Sequence, residues 1–341
     1  MKNDPLNKAL FFSKTNDFLN VYLKNQAMKS DNTVHTYQDG LTIFRRYLSK
    51  EKKISIGKFR FEECTHDFLL EYMVYLKTKG CAAGTCNNRL AAIRAYLWYV
   101  ADGDISMQSI ALAASKVPFI KGTQKIKETI NPDDLAALLA APSDKTNLGI
   151  RDKTILILLY DSAIRVSELR GLTTESLKLN ETIPYIRVHG KGDKERIVSI
   201  TDKTAEHLKR YLRRFHSEMD SKYPLFYTVI KGNLSAMSTG NVERILNKYA
   251  EMIRPEHPDL PQKLYPHMLR RTRACVLYQS GVELELVSRI LGHTSTQTTR
   301  IYASPSIEML KTAMENSSVD ISEAAEWMDN EEELARICGV R

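Results

Sequence analysis

The 341 residues contain no uninterrupted apolar stretch of about 18 residues or more, the length a helix needs to cross a bilayer. The first thirty residues mix Lys, Asp and Asn with short apolar groups, so no secretory h-region is present either. The expectation is a cytoplasmic protein with no membrane partner. Cysteine is scarce: Cys64, Cys81, Cys86, Cys275 and Cys338 make an odd count of 5 with no C-x-x-C pair. That excludes a disulfide frame and a zinc knuckle and predicts reduced thiols, with no structural metal. The P-loop pattern G-x-x-x-x-G-K-[ST] is missing, and no low-complexity tract or useful internal repeat occurs. What is present is an ordinary globular composition, 43% apolar and 26% charged, with enough apolar material for two domain-sized cores.

Charge is unevenly spread. The formal net charge is +8, but residues 312–341 carry eight acids against Arg336 and Arg341, a local −6, and +8 less −6 leaves +14 on the rest. A basic body suits a polyanionic partner, although many well-solubilised proteins share such a balance.

The periodicity predicts a mainly α chain. Val34, Tyr37, Leu41, Phe44 and Leu48 form one helical stripe, and Thr65 caps a second helix that carries Phe68, Leu69, Tyr72, Met73 and Leu76 and stops at Gly80. A third starts near Thr85 and buries Leu90, Ile93, Leu97 and Val100. Residues 1–114 therefore read as a helical bundle, and 115–128 as a basic interdomain linker holding Lys116, Lys121, Lys125 and Lys127. Asn131, Pro132, Asp133 and Asp134 then announce a helix start, opening a second domain over 129–315. Within it IPYIRVHG and ERIVSI are β-rich runs joined by KGDK, a hairpin signal, and from Asp202 onward the chain is expected to be mainly helical again, broken at Pro224, at Pro255 to Pro261 and at Pro266. The acidic tail 316–341 has Asp320 and Glu323 at capping-box spacing, with Ile321, Ala325, Trp327 and Met328 available to pack.

Four scattered segments hold cationic and polar groups suited to phosphate chemistry. YDSAIRVSELRGL carries Arg165 and Glu168, GKGDKERIVSI carries Lys191 at the hairpin tip, PHMLRRTRA carries His267 and Arg270 three apart, and LGHTSTQTTRIYA carries His293 nine residues before Tyr302. Arginine presents a planar fork matching two phosphate oxygens, and two forks neutralise the extra charge of a pentacoordinate phosphorus without a metal. A phenol near cations loses its proton more readily and can act as a covalent nucleophile. Lysine on a hairpin tip can protonate a leaving hydroxyl. Taken one at a time, each of these residues has an ordinary surface, packing or turn role. The same holds for Arg45, Arg46, Arg89 and Arg94, which lie beside or opposite the apolar stripes of the first domain and are weaker candidates for DNA contact.

The order Arg…Lys…His-x-x-Arg…His…Tyr resembles the tyrosine recombinases, also called phage integrases, over nearly the whole chain. The specific part is LGH followed by TT, one residue and I-Y. The resemblance implies a SAM-like helical core-DNA-binding domain joined to a catalytic domain with a small antiparallel sheet. It implies Tyr302 as nucleophile, Arg165 and Arg270 gripping the scissile phosphate, and His267 and His293 bonding its oxygens. Lys191 would be the general acid and Glu168 the brace for the first arginine. No cofactor is implied. The partners would be double-stranded recombination sites, with a homotetramer closed by cyclic exchange of the C-terminal tail, acting through a 3′-phosphotyrosyl link and a Holliday junction in the service of a mobile element. The chain departs from the commonest pattern at Ser162, Ala163 and Ile164, at Arg271 and at Arg273. A topoisomerase of type IB and a DNA-binding regulator without chemistry are the alternatives.

Overall fold

The computed structural model describes residues 10–122, 128–190, 195–217, 221–293, 299, 309, 311–312, 314 and 331–340. The chain divides into two compact units, Met1–Ile126 and Lys127–Arg341.

The first unit is built from α1 (Asp17–Gln26), α2 (Asp31–Lys50), α3 (His66–Thr78), α4 (Ala83–Gly103) and α5 (Gln108–Lys116). Helix α1 is wound as a π-helix, closed by the Ala27 N–H on the Tyr22 carbonyl at 2.7 Å. Ser30 and Thr65 cap α2 and α3 by accepting from the Thr33 and Phe68 N–H groups, and Gly80 takes φ 78° just past the end of α3, as the sequence predicts. The core is aromatic. Phe11 lies 5.3–5.4 Å, centroid to centroid, from Phe44, Phe59, Phe61 and Tyr96. The stripe on α2 packs on α4, and the two cross tightly because Gly40 has no Cβ; one there would come within 2.8 Å of the Ala92 Cβ.

Part of the expected linker belongs to this unit. Lys116 is the last residue of α5, Val117 is buried, and the backbone of Ile120 exchanges hydrogen bonds with the Asn87 side chain at 2.9 and 3.0 Å. Helix α5 went unpredicted because its apolar residues are mostly alanines, a weak periodic signal.

The second unit holds α6 (Pro132–Ala140), α7 (Asn147–Asp161), α8 (Val166–Gly171), α9 (Asp202–Phe215), α10 (Thr239–Ile253), α11 (Pro266–Gln279), α12 (Leu284–Leu291) and α13 (Glu331–Ile337). Asn131 caps α6 through the Asp134 N–H at 2.8 Å. Strands β1 (Leu177–Lys178), β2 (Tyr185–His189) and β3 (Glu195–Ser199) form an antiparallel sheet in that order, and Tyr185↔Ser199 through His189↔Glu195 set the register of the predicted hairpin. Buried α7 (Ile155, Leu156, Leu158, Leu159) packs among these elements.

The region after Asp202 is mainly helical, as expected, and also holds a hairpin that the sequence reading missed. Strands β4 (Tyr227–Ile230) and β5 (Asn233–Ala236) make a second hairpin. Lys231 (φ 50°) and Gly232 (φ 80°) both take the left-handed conformation that a two-residue type I′ turn needs. The tail positions 316–330, including Ile321 and Trp327, lie outside the described residues.

Candidate active site

The site is assembled by a loop, two helices and a turn. Helix α7 ends at Asp161 with Ser162 as its C-cap, and the chain passes through Ala163, a fully buried residue at φ 49°, before Arg165 starts α8 as its N-cap. A left-handed alanine carries a steric cost that glycine would not. The reward is a carbonyl aimed inward: Arg270 of α11 donates to the Ala163 oxygen from Nη1 at 2.6 Å. Its Nη2 donates to the Leu291 carbonyl at 2.6 Å and to His293 Nε2 at 3.0 Å. Carbonyl partners orient this buried fork but carry no full charge.

Arg165 is held differently. Glu168 accepts from the Arg165 backbone N–H at 2.7 Å and from Nη1 at 2.8 Å, a capping box that fixes the side chain over the first turn of α8. The Arg165 Nη2 reaches the Gly292 carbonyl at 3.4 Å. Burial alone would raise the Glu168 carboxyl, but donation from Arg196 and from the Arg165 backbone and guanidinium outweighs it, holding the group below the usual carboxylate range.

The LGH turn closes the other side. Gly292 ends α12 in the left-handed region (φ 62°), and a Cβ there would meet the Arg196 guanidinium at 2.8 Å, so glycine is favoured on both counts. Burial, then the positive charges of Arg270, Arg165, His267 and Arg196, depress His293 to about 4. The imidazole is therefore neutral near pH 7. Because Nε2 accepts from Arg270, the proton sits on Nδ1, which donates to the buried Thr299 hydroxyl at 2.8 Å. An accepting Nε2 could donate to an incoming anion only with the proton moved onto it, Nδ1 then accepting from the Thr299 hydroxyl.

Arg165, Glu168, Arg270 and His293 are thus brought together, and His267 stands exposed in the first turn of α11, close enough to bias His293. Lys191 and Tyr302 lie outside the described residues; β2 ends at His189 before the lysine and β3 begins at Glu195 after it. Arg196 and Thr299 were not singled out from the sequence. The signal for Arg196 was available: in ERIVS it alternates in step with buried Val198, an inward position for a cation. The departures at 271 and 273 have local duties. Arg271 donates to the Glu128 carbonyl at 2.7 Å and to the Tyr265 hydroxyl at 2.9 Å, and Arg273 pairs with Asp161 at 3.3 Å.

In the first unit, Arg46 and Arg89 line one cleft of about 340 Å³ between α2 and α4, together with Thr36, Asp39 and Asn88, and Arg45 is exposed on α2. Arg94 is engaged elsewhere. Its Nε donates to the Ala114 carbonyl at 2.9 Å, its Nη2 to the Val117 carbonyl, and its guanidinium covers Phe119. It closes the end of α5. Lys116 and Lys121 are exposed, while Lys125 and Lys127 lie outside the described residues. Among the described residues no group of three or more His, Cys, Asp or Glu is placed to hold a metal, and no helix is long and apolar enough to cross a membrane.

Residues 128–309 match the Phage integrase family, and residues 16–102 match the Phage integrase N-terminal SAM-like domain. The chain belongs to the tyrosine recombinase family. Tyrosine recombinase XerC of Thermodesulfovibrio yellowstonii is 33% identical over 294 residues, 84% of this chain and 89% of the relative. Tyrosine recombinase XerD of Halalkalibacterium halodurans is 28% identical, covering 80% and 87%. Among solved structures, the Tn1549 transposon integrase bound to transposon right end DNA superimposes with TM-score 0.66 at 17% identity, covering 89% of this chain and 99% of the other. XerH bound to a palindromic difH substrate gives 0.61 at 25% identity, covering 84% and 80%. The two-domain fold, mainly helical with small antiparallel sheets, is that of a tyrosine-type site-specific recombinase, an enzyme of DNA strand breakage and rejoining.

Proposed function

We propose that the protein exchanges strands between two copies of a DNA site through Tyr302. The observation that carries this reading is the meeting of two guanidiniums and an imidazole from distant segments; Arg270 reaches across 107 positions to the loop that presents Arg165. In the reaction the Tyr302 Oη–P bond forms as the P–O5′ bond breaks, giving a 3′-phosphotyrosyl link and a 5′ hydroxyl. The phenolic proton passes to His267, and Lys191 supplies a proton to the departing O5′. Arg165 and Arg270 take up the charge that grows on the phosphorane oxygens, each such donor contributing about 10²–10³ in rate. The tyrosyl link conserves the phosphodiester energy, so religation and passage through a Holliday junction need no ATP.

Both units bind the same duplex in this reading. Arg45, Arg46 and Arg89 of the first unit and Lys116, Lys121, Lys125 and Lys127 at its end contact DNA, and affinity falls steeply with salt. Arg94 is left out of that set because α5 already occupies its donors. Four protomers close into a ring by passing the 316–341 tail to the next subunit, a heterologous contact that closes. The mobile-element client is part of the proposal and rests on the family resemblance alone.

The test is a supercoiled plasmid carrying two direct copies of the DNA flanking the gene. Wild type yields two circles and Tyr302→Phe yields none. Relaxation of a plasmid lacking the site, without exchange, supports the topoisomerase alternative, and binding with neither outcome supports the regulator.

A further inference from the structure

Arg196 is absent from the constellation that carries the family resemblance, yet it touches three segments of the site. Its Nη1 and Nη2 straddle the Glu168 carboxylate at 2.8 and 3.0 Å, a bidentate pair on the carboxylate that also holds Arg165. Its guanidinium fills the space over Gly292, so closely that a Cβ would meet Cζ, Nε and Nη1 at 2.8–2.9 Å. And it sits on β3, one residue past Glu195, which pairs with His189, the two strand positions on either side of the segment that carries Lys191. The Arg196 Nε is buried with no hydrogen-bond partner. An unmet buried donor is a standing cost, kept where the placement of the group matters.

We propose that Arg196 is a positioning residue for strand cleavage, which locks the Lys191 hairpin to the Arg165 cap and to the LGH turn through Glu168 and Gly292. The inference rests on the proposed roles of Lys191 and Tyr302. Glu168 faces Arg165 and Arg196 at once, so the carboxylate acts as a hinge pin between loop and strand. Without the fork, α8 keeps its own capping box, and the sheet edge loses its register against it. The misplaced group is then the general acid, and a misplacement of about 1 Å can cost about 10² in rate.

The test uses single-turnover formation of the covalent adduct on two suicide DNA substrates, one with the natural 5′ oxygen and one with sulfur at the bridging 5′ position. A thiolate leaves without a proton, so it needs no general acid. Arg196→Lys keeps the charge and loses the fork. The expected result is adduct formation about 10²-fold slower on oxygen, largely restored on sulfur, with DNA affinity unchanged. A wild-type rate on oxygen, an equal deficit on both substrates, or a loss of DNA affinity that matches the loss of rate overturns the proposal. Arg196→Gln, with amide exchange measured over residues 190–195, reads the hairpin independently of activity: faster exchange supports the lock, and unchanged exchange contradicts it. Lys191→Ala and Tyr302→Phe separate the two readings. A Lys191→Ala enzyme that sulfur does not rescue, or a Tyr302→Phe enzyme that still forms adduct, removes the proposed chemistry and the inference with it. A rescued Lys191→Ala beside an unrescued Arg196→Lys overturns the inference alone.

Discussion

Each unit has its own apolar core, and the ring cluster of the first and the candidate site of the second are held by different means. Around Phe11 the first unit stacks ring against ring, with Phe44, Phe59, Phe61, Tyr72 and Tyr96 all buried. Around Arg270 the second unit uses main-chain carbonyls, one carboxylate and one imidazole to orient two cations at the proposed phosphate site. Apolar burial is non-directional and its loss is felt as stability. A polar network fixes angles, and its loss is felt as rate long before the fold gives way. Damage to the ring cluster should therefore read out in melting, and damage to the polar site in chemistry.

The largest expected departure is Arg270→Ala. Removing the fork that we propose grips the phosphate, and that also satisfies two carbonyls, should slow adduct formation about 10³-fold or more, measured by single-turnover cleavage at saturating DNA. Phe44→Ala is the counterpart in the first unit and should cost about 3–5 kcal/mol. Calorimetry should show an early transition for that unit, while the transition of the catalytic unit stays in place. If both transitions move together, the contrast between the units fails.

Smaller effects sharpen the comparison. Gly292→Ala should lower the rate about tenfold while costing about 1–2 kcal/mol, since it forces a left-handed alanine against Arg196. His293 has its pKa lowered by burial and by the surrounding cations to about 4, so it stays neutral in the fold while its unfolded counterpart protonates below about 6.5. Between those values the unfolded state binds more protons, so stability is fully present above about 6.5 and falls as pH drops toward 4. His293→Gln should flatten the melting midpoint across that window, which a series of thermal scans reads. The smallest change is Ala163→Gly, which relieves the left-handed strain at φ 49° against a larger unfolded-state entropy. A gain of at most about 1 kcal/mol is expected in denaturant titrations.

Much of this was legible in the sequence. Thr65, Asn131 and Gly80 marked helix ends because caps are local, and the Val34–Leu48 stripe marked α2 because burial on one face imposes a 3.6-residue period. The β4–β5 hairpin was lost because its strands are short and half exposed, so alternation says little and only Lys231-Gly232 hints at the turn. The meeting of Arg165, Glu168, Arg270 and His293 was inferred from residue type and order. That Arg196 shares Glu168, and that Ala163 adopts a glycine conformation to present its carbonyl, are long-range facts no local pattern records. Arg94 shows the reverse: a cation on a basic face reads as a ligand for DNA until the structure shows it capping α5.

One experiment reaches the chemistry itself. Trap the enzyme on a nicked suicide substrate of its own site, digest the adduct, and locate the nucleotide-bearing peptide by mass spectrometry. A 3′-phosphonucleotide on Tyr302, formed by wild type and missing in Tyr302→Phe, is the predicted result. A nucleotide on any other residue, or an adduct that survives the Phe substitution, contradicts it.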